Sequence, residues 1–131
     1  MSAIYETGRQ AILQADVDWV VDTIKAAAIN TASYTVDLTN HNALDDIPGG
    51  AIVATSSSLT GRTATNGVAD LDDFTFPSVT GSQISALVFY KDTGTPSTSQ
   101  LIAYVDAGPF TPNGADITIR IDSGTNRLFR L

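Results

Sequence analysis

The sequence contains no cysteine, which excludes disulfides, thiolate metal centres and thiol catalysis together. It has one histidine, His41, one tryptophan, Trp19, and only two lysines, Lys25 and Lys91. Positive charge is scarce: 7 Lys and Arg stand against 14 Asp and Glu, giving a formal net charge of -7. A chain of that balance has no basic face for tracking phosphates or for lying on an anionic bilayer, so neither nucleic acid nor membrane is an expected partner. No apolar run reaches the roughly 18–20 residues of a spanning helix. The opening stretch "MSAIYETGRQAILQADVDW" lacks a basic region followed by an unbroken apolar run, so no secretory signal is expected. Charged residues make up 16%, against a usual share of about 25%. Threonine and serine take their place, as suits exposed strands and turns.

Chemistry-bearing patterns are equally sparse. There is no P-loop, no G-x-G-x-x-G and no G-x-S-x-G, so neither a phosphate cradle nor a serine elbow is expected. His41 lies between Asn40 and Asn42, the setting of a turn histidine that bonds locally. Asp70, Asp72 and Asp73 form the best metal candidate, since Asp70 and Asp72 would share a strand face and offer oxygens to Ca²⁺. The glycine and glutamate of a calcium loop do not follow, so Asx turns and a solvated rim are the plainer reading. Asp45 and Asp46 would point to opposite faces of a strand. Trp19 and the tyrosines at 5, 34, 90 and 104 could line a sugar platform, although such aromatics more often anchor cores and interfaces. The residues therefore point to no enzyme and no cofactor.

What the chain does carry is strand patterning. Its 131 residues suit one domain without covalent staples, with residues 1–15 as an N-terminal arm and short helix and 16–131 as the core. Thr7 and Gln10 have capping-box spacing, which predicts a helix from Thr7 to Gln14, weakened by Gly8. Propensity favours helix for "VDWVVDTIKAAAIN", yet Val20, Val21, Thr23 and Ile24 are β-branched. The stretch "TASYTVDLTNHNALDDIPGG" reads as a long connection held over the core by Tyr34, Val36, Leu38, Leu44 and Ile47. "AIVATSSSLTG" reads as a strand, and Asn66-Gly67 as a hairpin turn. Phe74 and Phe76 sit on one strand face, and "ISALVFYKDTG" has the continuous apolar run of a central strand covered on both sides. "PSTS" then separates it from a partner, "QLIAYVDAG". The whole predicts an all-β fold, sandwich- or jelly-roll-like, of about eight short antiparallel strands with a short N-terminal helix.

The end of the chain is patterned too. Ile117, Ile119 and Ile121 alternate with polar residues, "SGTN" has turn chemistry, and Arg127 to Leu131 reads as a return strand completing a closing pair. In that strand Phe129 and Leu131 would enter the core, while Leu128 and Arg130 would face outward and make a contact for an acidic neighbour.

In order, the segments "DVDWVVDTIKAAAIN", "LDDIPGGAIVATSSSLTGRTATNGVADLDDFTF", "ALVFYKDTG", "TSQLIAYVDAG", "TPNGADITIRID" and "NRLFRL" resemble one family. It consists of small structural proteins from the late gene blocks of tailed bacteriophages and prophages. The resemblance runs from Asp16 to Leu131. It implies a strand over residues 22 to 29, where relatives look more β-branched and the alanines here depart from them. It further implies a capsid cement or decoration protein, made in the host cytoplasm and placed on the virion surface. The partners would be the major capsid protein lattice and further copies of the chain, a homotrimer favoured over a homodimer. The family hands over no binding residues. Position alone nominates Ile4 and Tyr5 of the arm, with Leu128 and Arg130, as interface residues. A tail, baseplate or connector component, or a carbohydrate- or adhesion-type module, are the alternatives.

Overall fold

The apolar run at 84–90 becomes the middle of the molecule. In the computed structural model, which describes residues 2–121 and 129–130, the strands are β1 (Ser2–Ile4), β2 (Ile24–Ile29), β3 (Ile52–Thr55), β4 (Thr63–Thr65), β5 (Val68–Asp70), β6 (Phe74–Phe76), β7 (Ile84–Lys91), β8 (Leu101–Phe110), β9 (Ile117–Ile119) and β10 (Phe129–Arg130). The one α-helix among the described residues, α1, spans Glu6–Leu13. A five-stranded sheet has the order β1-β8-β7-β2-β3, a three-stranded sheet β10-β5-β4, and β6 pairs with β9. Every pairing is antiparallel.

Strand β7 is central because both of its faces are apolar. Ile84, Leu87 and Phe89 enter one core cluster, and Ala86, Val88 and Tyr90 the other. The first cluster also takes Ile102 of β8, Ala69 of β5, Phe76 of β6 and Ile119 of β9, so residues of all three sheets pack together on that side. The second lies under the long connection of residues 30–51. Tyr34 and Ile47 are buried there, with Val36, Leu38, Leu44 and Ile52 packed against them. This connection is held as the sequence suggested, by apolar residues on an otherwise polar loop.

The ambiguous alanine run resolves as strand β2, inside the expected 22–29 span. Ala26, Ala27 and Ala28 are each 0% exposed and alternate between the two clusters. Helix propensity loses to context here, because a strand covered on both faces tolerates small side chains wherever its covers come close. The Asn66-Gly67 turn joins β4 to β5, with φ of 54° and 77°. Positive φ at both central positions matches the twist of a tight hairpin. Phe74 and Phe76 meet edge-on with centroids 5.5 Å apart, and Phe74 also meets Phe89 across the core.

Three expectations need correction. Helix α1 begins at Glu6, with Tyr5 at its N-cap position making no side-chain capping bond. Thr7 lies inside the helix, its hydroxyl donating to the His41 carbonyl at 3.1 Å, so no capping box forms. Among the described residues the closing strands take other partners: β9 joins β6 and β10 joins β5, in separate sheets. Alternation identified these strands but carries no information about which partner each takes. Finally, β1 is no free arm, since Ser2, Ala3 and Ile4 register with Val105, Tyr104 and Ala103 of β8.

Candidate functional site

Two constellations concentrate the polar chemistry of the described residues, and both join distant segments. The first runs inward from the long connection. The Tyr34 hydroxyl lies 2.9 Å from His41 Nδ1 and 2.9 Å from the Tyr5 hydroxyl. The Tyr34 and His41 rings stack with centroids 5.4 Å apart. Tyr5 is held because its backbone N–H donates to the Ile102 carbonyl at the end of β1, while Glu6 N–H donates to the Leu38 carbonyl. Burial, reinforced by the bond to Tyr34, pushes the Tyr5 phenol far above its ordinary pKa, and burial likewise raises Tyr34. Neither phenol ionises near neutrality, so this is a chain of neutral hydroxyls. Below it, Asp46 Oδ2 accepts from the N–H groups of Asn42 and Ala43, and the Asn42 bond holds its carboxyl below the usual range. The arrangement fastens residues 34–46 to β1. The His41 ring bonds Tyr34, seven residues earlier on the same connection.

The second constellation is the connection from α1 to β2. Trp19 is buried among the core residues, and its indole N–H points at the carbonyls of Thr63, at 3.1 Å, and Asp70, at 3.3 Å. The Arg62 guanidinium donates to the carbonyls of Trp19 at 2.6 Å and Val20 at 2.9 Å, and also to those of Asp22 and Leu59. Asp18 Oδ1 accepts from Val20 and Val21 N–H, and Asp22 Oδ2 accepts from Asp18 N–H. Lys91 Nζ lies 3.1 Å from Asp22 Oδ2 and donates to the Asp16 carbonyl at 2.7 Å. The Asp18 N–H bond, with Lys91 behind it, lowers the Asp22 carboxyl. Sequence reading missed Arg62 because three of its acceptors, the carbonyls of Trp19, Val20 and Asp22, lie 40 or more residues away, which no local pattern encodes.

The nominated residues distribute as follows. Ile4 and Tyr5 come together with β8 and the core, at 7% and 0% exposure, and so face inward. Leu128 lies outside the described residues. Arg130 is described through its backbone, which registers with Val68. Asp70, Asp72 and Asp73 turn to different partners. The Asp70 carbonyl accepts from Trp19, the Asp72 carboxylate sits against Thr60, and Asp73 Oδ1 accepts from Ile121 N–H at 2.7 Å. Among the described residues no three His, Cys, Asp or Glu side chains group so as to hold a metal ion. Trp19 and Tyr104 are 7% and 6% exposed, which leaves no stacking face for a sugar. No helix among the described residues is long and apolar enough to cross a membrane. No protein-family model matches the chain, and no curated protein matches it.

Proposed function

We propose that the chain is a non-enzymatic structural protein of a tailed-phage virion, a cement or decoration protein bound to the major capsid lattice. The observation that carries the reading is the ordered set of segments from Asp16 to Leu131, with its resemblance to late-gene structural proteins. The geometry supports it from another side. The His41, Tyr34, Tyr5, Arg62, Trp19 and Lys91 side chains are all engaged in fastening loops to sheets. A protein whose polar groups serve rigidity is suited to bearing load in an assembly. In this reading the five-stranded sheet and the two smaller sheets form a sandwich-like body around the cluster they share. The body binds as a symmetric oligomer, a trimer before a dimer, at symmetry-related lattice positions.

The test is reconstitution. Purified expanded shells lacking this chain are mixed with it, pelleted and imaged with the chain tagged. The expected result is saturable binding at regular icosahedral positions and greater resistance of the shell to heat. Density at a tail or portal vertex would favour the tail or connector reading, and no particle association would reject a virion role.

A further inference from the structure

The dipeptide Asn-Gly occurs twice, at Asn66-Gly67 and at Asn113-Gly114. In that pair the backbone nitrogen of the glycine can attack the side-chain amide carbon of the asparagine, because glycine presents no Cβ to obstruct the approach. Exposure does not tell the two copies apart. All four residues are exposed, and a Cβ added at either glycine would meet no atom within 4 Å. Their bonding differs. Gly114 N–H donates to the Val79 carbonyl at 2.7 Å, and Asn113 Oδ1 accepts from Ala115 N–H at 3.1 Å. Val79 N–H donates in turn to the Ala115 carbonyl, and Ser78 N–H to Asp116 Oδ1. Nucleophile and electrophile are therefore both held at Asn113, on a segment tied to residues 78 and 79. At the tip of the β4–β5 hairpin, no hydrogen bond among the described residues engages the Gly67 N–H or the Asn66 side chain.

We propose that Asn66 is a site of spontaneous deamidation, needing no enzyme, and that the fold spares Asn113. In this reaction hydroxide removes the Gly67 N–H proton and the nitrogen attacks Asn66 Cγ. The N–Cγ bond forms, the Cγ–Nδ2 bond breaks, and the side-chain nitrogen leaves as ammonia after taking a proton from solvent. Water then opens the five-membered imide at one of its two carbonyls, giving aspartate or isoaspartate. Asn66 has φ of 54°, a turn conformation from which the Asn66-Gly67 peptide must rotate before the atoms meet. An unengaged peptide at a hairpin tip can do so without breaking a bond of its own. β4 is also the outer strand of its sheet, with Thr63, Ala64 and Thr65 all exposed, so local opening there is easy. At Asn113 the same rotation breaks the Gly114–Val79 bond and must release Asn113 Oδ1, each bond a factor of roughly 3–10. Either product adds a carboxylate to a chain of net charge -7. Isoaspartate also adds a main-chain carbon between Thr65 and Val68, where a two-residue turn sets the β4–β5 register. Nothing in this chemistry depends on the virion reading.

The test incubates the full chain in mildly alkaline buffer, folded and in unfolding urea, and samples it over time. Peptide mass mapping locates the mass gain of an NH2 group replaced by OH and separates isoaspartate from aspartate. In the folded chain Asn66 should convert at least about tenfold faster than Asn113. In urea the two should convert at similar rates, because each is then the same dipeptide in an open chain. Equal conversion in the folded chain, or conversion of Asn113 first, would overturn the proposal. So would an Asn66 that stays intact while the unfolded chain reacts, which would show that the turn protects it. A preference for Asn66 that persists undiminished in urea would overturn the part given to the fold, since the Val79 and Ala115 bonds are then gone.

Discussion

The hydroxyls of Tyr5 and Tyr34 meet 2.9 Å apart inside the fold, joining the end of β1 to the loop that covers the central sheet. Tyr34 passes the contact on to His41, so removing either phenol has a different cost. Tyr5→Phe deletes one buried bond and should cost about 1–2 kcal/mol. Tyr34→Phe deletes two and should cost more. In the double variant the losses should fall short of their sum, because the shared bond is counted once. Urea unfolding of the four proteins measures this, and strict additivity would show the contact to be energetically idle.

Reading Ile4 and Tyr5 as a free arm predicts that removing residues 1 to 6 leaves the fold nearly unchanged. Their burial reverses the expectation. Each side chain contributes about 1.5–3 kcal/mol by leaving water, and β1 is an edge of the main sheet. The deletion should therefore remove a large part of a typical reserve of about 5–15 kcal/mol. A deleted protein that melts with the wild type would show β1 to be dispensable.

Acid should loosen the loops before the core. Asp22, Asp37, Asp46 and Asp92 all have lowered carboxyl pKa values, through the Asp18 N–H, the Asn40 side chain, the Asn42 N–H and Lys25 respectively. The folded state thus holds these groups ionised more readily than the unfolded chain, whose aspartates titrate at about 3.9. Their contribution is present above that value and is lost as the pH falls through the lower folded values. The melting temperature should be flat from neutrality to about pH 5 and decline below about pH 4. Asp46→Asn should melt lower than the wild type at neutral pH, and the gap should close in acid. A gap independent of pH would assign the effect to packing rather than charge.

Gly8 reads in the sequence as a weakness of the first helix, and the structure gives it a task. A Cβ there would lie 2.5 Å from the Leu101 carbonyl oxygen and 2.9 Å from Ile102 Cα, both backbone atoms of β8. Gly8→Ala gains about 1 kcal/mol of helix propensity but must push α1 off the sheet, an overpacking cost of about 1–3 kcal/mol. The close backbone approach leaves little room to yield, so the net effect should be destabilising. Gly50→Ala is the control, since its Cβ would meet nothing within 4 Å. Equal melting temperatures for the two variants would remove the close-approach argument.

Legibility followed the range of each interaction. The Asn66-Gly67 hairpin, the paired phenylalanines and the continuous β7 run were readable because turn chemistry and periodicity are local. The alanines of β2 misled propensity, since only the covers on both faces explain why small residues belong there. An apolar residue at the start of a chain reads the same whether it lies on an arm or in an edge strand, so Ile4 and Tyr5 could be noticed but not placed. The strands at 117–119 and 129–130 were visible, yet their partners, β6 and β5, come from far earlier in the chain. In sequence Val20 and Val21 read as β-branched residues before a strand. Their exposure follows from Trp19 and Arg62, whose partners a one-dimensional pattern does not name.

Arg62 offers the sharpest test of what holds the exposed Val20–Val21 connection in place. Its guanidinium reaches carbonyls of residues 19, 20, 22 and 59 from one planar head. Lysine has three donors on a single nitrogen and cannot span so wide a set, so Arg62→Lys keeps the charge while abandoning most of the clamp. With hydrogen bonds to a charged donor contributing about 1.5–3 kcal/mol each, and water replacing some of them at this partly buried site, the net loss should be about 2–3 kcal/mol. The loss should be local first. Amide exchange should accelerate at Val20 and Val21 before it changes in β7, where the N–H groups lie inside the sheet. Unchanged exchange would show that Asp18 and Trp19 hold the loop alone.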